Sequence, residues 1–278
     1  MIYLAYDGSL NGDWVARYAM RMALHAHQCS LTLVHIREPA LSEDLLAEKL
    51  ERIEGECAAL GVNLHCELRP PAGDVHAALL RAIPPGAESI VVAGTRVRAR
   101  NRSYLAGTIA ERLLQCGRFP VLALRVVQPG LLGHPRRFLL PLSGHPRGVA
   151  SVWPFFRLFL PEMENLVILR GMIVSPQRLR HLETARIRGL REAGVRYLGN
   201  VAEEIRCRRG AADFMMDSRI VISDDWPHEI LVHASQLRSR MILLGASERA
   251  LWHRLLHGRP FERVLRDTPC DVGVYRGL

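Results

Sequence analysis

Short apolar runs alternate with longer stretches of helical spacing from one end of this chain to the other. IYLAY at 2–6 predicts a strand, ended by Asp7-Gly8-Ser9. Apolar positions from Trp14 to His27 then keep helical spacing, with Asn11 or Asp13 placed to cap the start. LTLVHI at 31–36 is apolar on both faces, as buried parallel strands are. Ser42 starts a second amphipathic helix that runs to about Leu60 and stops at Gly61. VNLHCEL at 62–68 alternates and predicts a third strand, and Gly73-Asp74 opens a third helix to Ile83. A strand from Ile90 to Ala93 turns at Gly94 into a basic loop, RVRARNRS. Gly107-Thr108 then precedes a helical run, Ile109 to Cys116, and a strand, Val121 to Val127. The order β-α-β-α-β-α-β-α-β makes this an α/β chain, with an open parallel sheet and helices on both faces.

Pro129 to Pro135, PGLLGHP, is turn-rich and predicts a linker. The pattern then begins again. Phe138 to Leu142 is a strand followed by Ser143-Gly144-His145 in the place of Asp7-Gly8-Ser9. A helical run, Val149 to Leu160, leads to the strand NLVILRG and a long basic amphipathic stretch from Pro176 to about Arg209. RIVISD at 219–224, a helix from about Pro227 to Leu237, MILLG at 241–245, a helix from about Phe261 and DVGVY at 271–275 complete it. A shift of 151 residues pairs Asp74 with Asp225, Gly94 with Gly245, Leu105 with Leu256 and Gly107 with Gly258. The same shift pairs Glu111-Arg112 with Glu262-Arg263, Val121 with Val272 and Arg125 with Arg276, with no gap between them. Near the N-terminus the shift is smaller, Asp7 to Ser143, and the stretch 176–209 is expected to hold the extra residues as an insertion. The chain reads as a tandem duplication, one domain over 1–128 and a second over 136–278.

Composition narrows the partners. Of 278 residues 49% are apolar and 23% charged, which fits a globular, core-forming chain. No apolar run approaches bilayer length, and IYLAY begins at once with no signal region, so the expectation is a cytoplasmic protein with no membrane partner. The net charge of +9 comes almost wholly from arginine, with Lys49 the single lysine. Its charges are scattered apart from the loop 96–102 and the run Arg206, Arg208, Arg209, with no aromatic-interleaved basic strand, so nucleic acid is not expected. The six cysteines form no CxxC pair and read as reduced structural thiols. His25 and His27 are expected on different sides of one helix. His253 and His257 have the spacing of a metal pair but no third ligand in view, and no metal site is expected. Nothing resembles a G-x-S-x-G elbow or a Walker lysine, and neighbouring Ser143 and His145 on one turn do not set a base against a hydroxyl. No catalytic residue is assigned.

The chemistry the chain does suggest lies at the strand ends of the first half. A strand, a glycine loop, a small residue with a hydroxyl and a helix start form an order suited to phosphate: glycine admits close backbone approach and the helix N–H groups face the anion. At the crevice of such a sheet Asp7-Gly8, Ile36 and the loop from Gly94 to Thr108 come together. Asp7 has the acceptors for a ribose hydroxyl or an adenine amine. The loop and Thr108 suit phosphates, with Arg96, Arg98, Arg100 and Arg102 to neutralise them. A plainer reading stands beside this one, in which Asp7 only caps a helix and the arginines form a solvated loop.

The architecture resembles the universal stress protein family in its tandem two-domain form, through DGS at 7–9, LVHI at the second strand and GDVHAALL before the fourth. The ATP-binding members of that family carry Gly-x-x-Gly, nine residues, then Gly-Ser/Thr. Here Gly94-Thr-Arg-Val97 is followed by nine residues and Gly107-Thr108, so Val97 stands where the second glycine would. The second half reads Gly245-Ala-Ser-Glu248, nine residues, Gly258-Arg259, with Ser143 for the opening aspartate. Its segment from Gly245 to Arg276 also looks like stress-protein domains attached to some amino-acid and cation transporters. The resemblance implies two five-stranded sheets of the adenine-nucleotide alpha-hydrolase-like kind, strand order 3-2-1-4-5. It implies ATP with Mg²⁺, or a related adenine nucleotide, held by Asp7, Gly8, Ile36, Gly94, Arg96, Val97, Gly107, Thr108 and Ile109. On it rest a stress-response regulator with a degenerate second site, its alternative of a non-nucleotide interaction module, and at most slow ATP hydrolysis. The last strands, Val121–Val127 and Val272–Tyr275, are the candidates for pairing between domains or between chains of a homodimer.

Overall fold

The computed structural model describes residues 1–37, 41–70, 73–95, 104–146, 148–246 and 260–278. Two runs of alternating strands and helices lie side by side. The first comprises β1 (Ile2–Tyr6), α1 (Leu10–Leu24), β2 (Ser30–Ile36), α2 (Glu43–Leu60), β3 (Asn63–Arg69), α3 (Val75–Ala82), β4 (Ile90–Gly94), α4 (Ile109–Cys116) and β5 (Val121–Arg125). The second comprises β6 (Arg137–Leu142), α5 (Gly148–Phe156), β7 (Asn165–Ile173), α6 (Pro176–Arg180), α7 (Thr184–Arg208), β8 (Met215–Ser223), α8 (Trp226–Gln236), β9 (Met241–Gly245), α9 (Pro260–Asp267) and β10 (Asp271–Arg276).

Each run pairs in parallel in the order 3-2-1-4-5, but the two do not make separate sheets. They form one sheet of ten strands, β3-β2-β1-β4-β5-β10-β9-β6-β7-β8, joined where β5 meets β10 antiparallel. Each of those strands would otherwise present a row of unpaired N–H and C=O groups, and pairing them satisfies both rows. Ala123 lies opposite Val274, its own counterpart at the 151-residue shift, so the halves meet about a local two-fold axis. Gly273 permits the close approach: a Cβ there would stand 2.9 Å from the Leu122 side chain and 3.0 Å from that of Met241.

Strands buried on both faces need helices on both faces, and the core accordingly has two layers. Val15, Met22, Ile53, Phe155, Phe156 and Ile205 belong to the layer under α1, α2, α5 and α7. Leu79, Leu113, Ile230 and Val264 belong to the layer under α3, α4, α8 and α9. The repeat extends to side chains. Arg112 is bonded to Asp74 at the start of α3, and Arg263 to Asp225 at the start of α8, both displaced by the same 151 residues.

Several expected boundaries move. Helix α1 begins at Leu10, not Trp14, because the Ser9 hydroxyl caps it by accepting from the Gly12 N–H at 3.0 Å. Asp13 is no cap. It is buried and accepts from the Tyr6 hydroxyl at 2.5 Å, with Lys49 at 2.5 Å and Arg52 at 3.0 Å. His25 ends α1 and His27 lies beyond it, so they do not share a helix. The stretch 176–209 is broken into α6 and the 25-residue α7. Strand β8 begins at Met215, four residues before the apolar run suggested, because its outer part is an exposed sheet edge.

The linker is clasped rather than loose. Gly133, at φ +75°, lies against the backbone of Arg17 in α1, where a Cβ would come within 2.5 Å. The Asp271 carboxylate, fully buried, accepts from the N–H groups of Val127 and Gln128 at 2.6 and 2.7 Å and from the Tyr18 hydroxyl. Burial pushes that carboxyl above the usual range, opposed by the hydrogen bonds from Tyr18, Gln128 and Val127.

Candidate functional site

Register brings the predicted residues to one sheet end. Tyr6 pairs with His35 and Ala5 with Ala93, so the next positions, Asp7, Ile36 and Gly94-Thr95, end three adjacent strands together. Helix α1 leaves for one face of the sheet and α3 and α4 lie on the other. The gap between β1 and β4 is therefore the point where the winding reverses.

Asp7 is exposed and its Oδ1 accepts from the Ser9 N–H at 3.0 Å and the Ser9 hydroxyl at 2.7 Å, which braces the turn into α1. Gly8 is left-handed, φ +71°, and the Leu41 side chain lies over it, 2.3 Å from where a Cβ would be. Ile36 is buried. Gly94 faces the amide of Asn11, which donates to the Thr95 carbonyl at 3.2 Å. Thr95 itself is buried, and its hydroxyl has no partner among the described residues. A buried orphan hydroxyl at a strand end is a group that a bound water or ligand satisfies. Arg96, Val97, Arg98, Arg100 and Arg102 lie outside the described residues.

Gly107 and Thr108 lead into α4 as the phosphate-loop pattern requires. Gly107 is left-handed at φ +73°. The Thr108 hydroxyl caps α4, accepting from the Glu111 N–H at 3.2 Å and donating to the Leu105 carbonyl at 2.7 Å. Ile109 follows as the first helical residue, and its N–H has no acceptor within the helix. Upstream, the N–H groups of Tyr104, Leu105 and Ala106 all donate to the carboxylate of Glu262, at 2.6, 2.9 and 2.7 Å. Gly107 donates to Glu111 Oε2 at 2.6 Å. The Arg125 guanidinium stacks on the Tyr104 ring at 4.0 Å, and burial lowers its pKa. The donor set of this loop is that of an anion receptor, and it already holds carboxylate oxygens, so its chemistry fits a phosphate group. Among the described residues no group of three or more His, Cys, Asp and Glu could hold a metal ion.

The second half has the same turn with different contents. Gly144 is left-handed, φ +91°, as Gly8 is, but the Arg170 guanidinium lies across it. Arg170 donates to the Gly171 carbonyl at 2.5 Å and stacks on Tyr197 at 5.2 Å, and burial lowers its pKa. Ser143 stands in the place of Asp7. Glu248, Gly258 and Arg259 lie outside the described residues, as do His253 and His257.

Sequence reasoning gave no site role to Thr95, Leu41, Arg170 and Glu262, and took Asn11 for a helix cap, where it lies inside α1 and bonds the Thr95 carbonyl. Thr95 had a signal, since it follows Gly94 directly at the strand end. Glu262 had one too, in its pairing with Glu111 at the constant shift, but nothing local shows that it crosses between halves.

No family model and no curated protein matches the sequence. Solved structures do match the fold. A universal stress protein from Archaeoglobus fulgidus superposes with a TM-score of 0.59 at 17% identity, covering 99% of this chain and 96% of that one. A protein of unknown function from Pseudomonas aeruginosa gives 0.57 at 14%, with 98% and 91% covered. The cytoplasmic domain of a prokaryotic cation chloride cotransporter gives 0.59 at 10%, with 99% and 94% covered. No described helix is long and apolar enough to cross a membrane.

Proposed function

We propose that this chain, built on the tandem universal stress protein fold, is a cytoplasmic stress-response regulator that takes ATP or a related adenine nucleotide in its first half. The observation that carries the reading is the meeting of Asp7, Ile36 and the Thr95 hydroxyl, which has no partner among the described residues, at the point where the sheet reverses its winding. Asp7, with Gly8 and Ile36 beside it at the strand ends, accepts from the ribose or the adenine amine. Thr108 and the first N–H groups of α4 hold the phosphates, and Mg²⁺, when bound with them, supplies neutralising charge. Arg96 and Val97, next in the sequence after Thr95, are part of the same proposal. Binding changes conformation or assembly and feeds no committed reaction. Arg170 across Gly144, with Ser143 for Asp7, supports a second domain without a nucleotide. The domains divide at the linker, 1–128 and 136–278.

One observation favours a second reading. The N–H groups of 104–107 are already held by Glu262 and Glu111, as they would be in a chain that works only as an interaction module. Native mass spectrometry beside calorimetry with ATP and Mg²⁺ separates the two. One equivalent of nucleotide per chain, lost in Asp7→Ala and in Gly107→Glu, is expected. No nucleotide by either method refutes the regulator and leaves the interaction module.

A further inference from the structure

Every backbone N–H from Tyr104 to Gly107 donates to a carboxylate, and three of the four go to a residue of the other half. Glu262 lies in the first turn of α9, 156 to 158 positions along the chain from the groups it binds. Its counterpart Glu111 accepts from Gly107 just ahead of its own helix. Glu262 instead reaches across the junction, with both oxygens engaged at 2.6 to 2.9 Å. Consecutive N–H groups converging on one charged acceptor make a receptor for anions in general, with short charge-assisted bonds. A phosphate oxygen needs the same donors, and it cannot share them with a carboxylate without strong like-charge repulsion.

We propose that Glu262 is a tethered competitor for the anion seat of the first half, so that a phosphate group enters 104–107 only as Glu262 leaves. Its identification with an adenine nucleotide rests on the function proposed above; the competition itself does not. Departure of Glu262 unties α9 from the loop, while α9 still packs on α8 through Phe261 against Trp226, ring centres 5.7 Å apart, and through Arg263 bonded to Asp225. Helix α9 leads directly into β10, the strand that joins the halves. Occupancy of the seat and docking of α9 are thereby linked, and the linkage runs both ways. A ligand in the first half is reported at the junction, and a partner that lifts α9 opens the loop.

The test uses the full chain, pyrophosphate as the bare anion, and ATP with Mg²⁺. Glu262→Gln removes the charge and keeps the shape, and Glu262→Ala removes the side chain. Calorimetry gives affinity, and ¹⁵N amide shifts of Leu105, Ala106 and Gly107 locate the anion. Pyrophosphate is expected to bind the variants about tenfold or more tighter than the parent, since the competing state is gone. The Gln variant carries the result if the Ala variant does not fold. Unchanged or weaker pyrophosphate binding in folded variants, or binding that leaves those amides unmoved, overturns the competition. ATP that binds parent and variants alike overturns it too, while upholding the nucleotide reading. Tighter pyrophosphate with ATP no better than pyrophosphate, and indifferent to Asp7→Ala, upholds the competition and refutes the nucleotide.

Discussion

Replacing Asp271 with Ala takes away the acceptor that ties the linker and α1 to the second half. Three donors lose their partner: the N–H groups of Val127 and Gln128, and the hydroxyl of Tyr18, itself 1% exposed. The buried Tyr18 hydroxyl left unsatisfied costs about 1–3 kcal/mol, and the two part-buried backbone groups cost less, since water can reach them. Against that sum, burial raises the Asp271 carboxyl, so removing it recovers part of the cost of holding a charge in the interior. The net expectation is a loss of about 2 kcal/mol. Asp271→Asn behaves differently, because its Oδ1 still accepts from both backbone groups and its Nδ2 donates to the Tyr18 oxygen. That variant should stay within about 1 kcal/mol of the parent at neutral pH. The sign of the pH dependence follows from the raised value. The folded chain holds this proton more tightly than the unfolded one, so the contribution of Asp271 is full below the ordinary 3.8 and is lost as pH rises through the raised value. Asn has no such titration, so the parent's margin over Asp271→Asn is largest in acid and shrinks toward neutrality. Urea denaturation followed by tryptophan fluorescence, for the three proteins across that range, reads both effects. A cost under about 1 kcal/mol for the Ala variant, or a parent margin that grows as pH rises, refutes the reasoning.

Two further outcomes follow from buried features. Lys49→Met leaves the Asp13 carboxylate, 9% exposed, with Tyr6 and Arg52 as its side-chain partners among the described residues, and should cost about 2–3 kcal/mol in denaturant unfolding, part of it restored by adding Asp13→Asn. Gly133→Ala and Gly61→Ala share a positive φ, +75° and +72°, but only the first puts a Cβ against backbone, while the second faces open space. Gly61→Ala should cost about 1 kcal/mol and Gly133→Ala distinctly more, and equal costs would show that the packing of the linker on Arg17 contributes nothing.

Much of the fold was legible because buried parallel strands are written as apolar runs of strand length, and because β4, α4 and β5 recur without a gap. Helix α4 lies where Ile109–Cys116 predicted, bounded by a hydroxyl cap and a glycine. Legibility failed where a residue's task lies far along the chain or outside its local pattern. Asp13 has the look of a cap, yet Tyr6 and Lys49 draw it inward while Ser9 does the capping. The start of β8 is an exposed edge, so MMDS lacks the apolar signal that marks an inner strand. At the candidate site the register of Asp7, Ile36 and Gly94 is fixed by strand order alone. The Leu41 side chain over Gly8 and the Glu262 carboxylate on the loop are matters of tertiary packing that no local window contains.

The local two-fold at Ala123 and Val274 also frees the two sides of the junction to diverge. When two separate copies meet about such an axis, every mutation strikes twice, and a residue must suit both of its images. Within one chain each change falls once. The clasp on the linker uses that freedom: Asp271 binds Tyr18, Val127 and Gln128, whereas its counterpart at the 151-residue shift is Pro120, which has no carboxylate to offer. The two faces of this joint are therefore separately heritable, and one half can specialise in holding the joint while the other keeps its crevice.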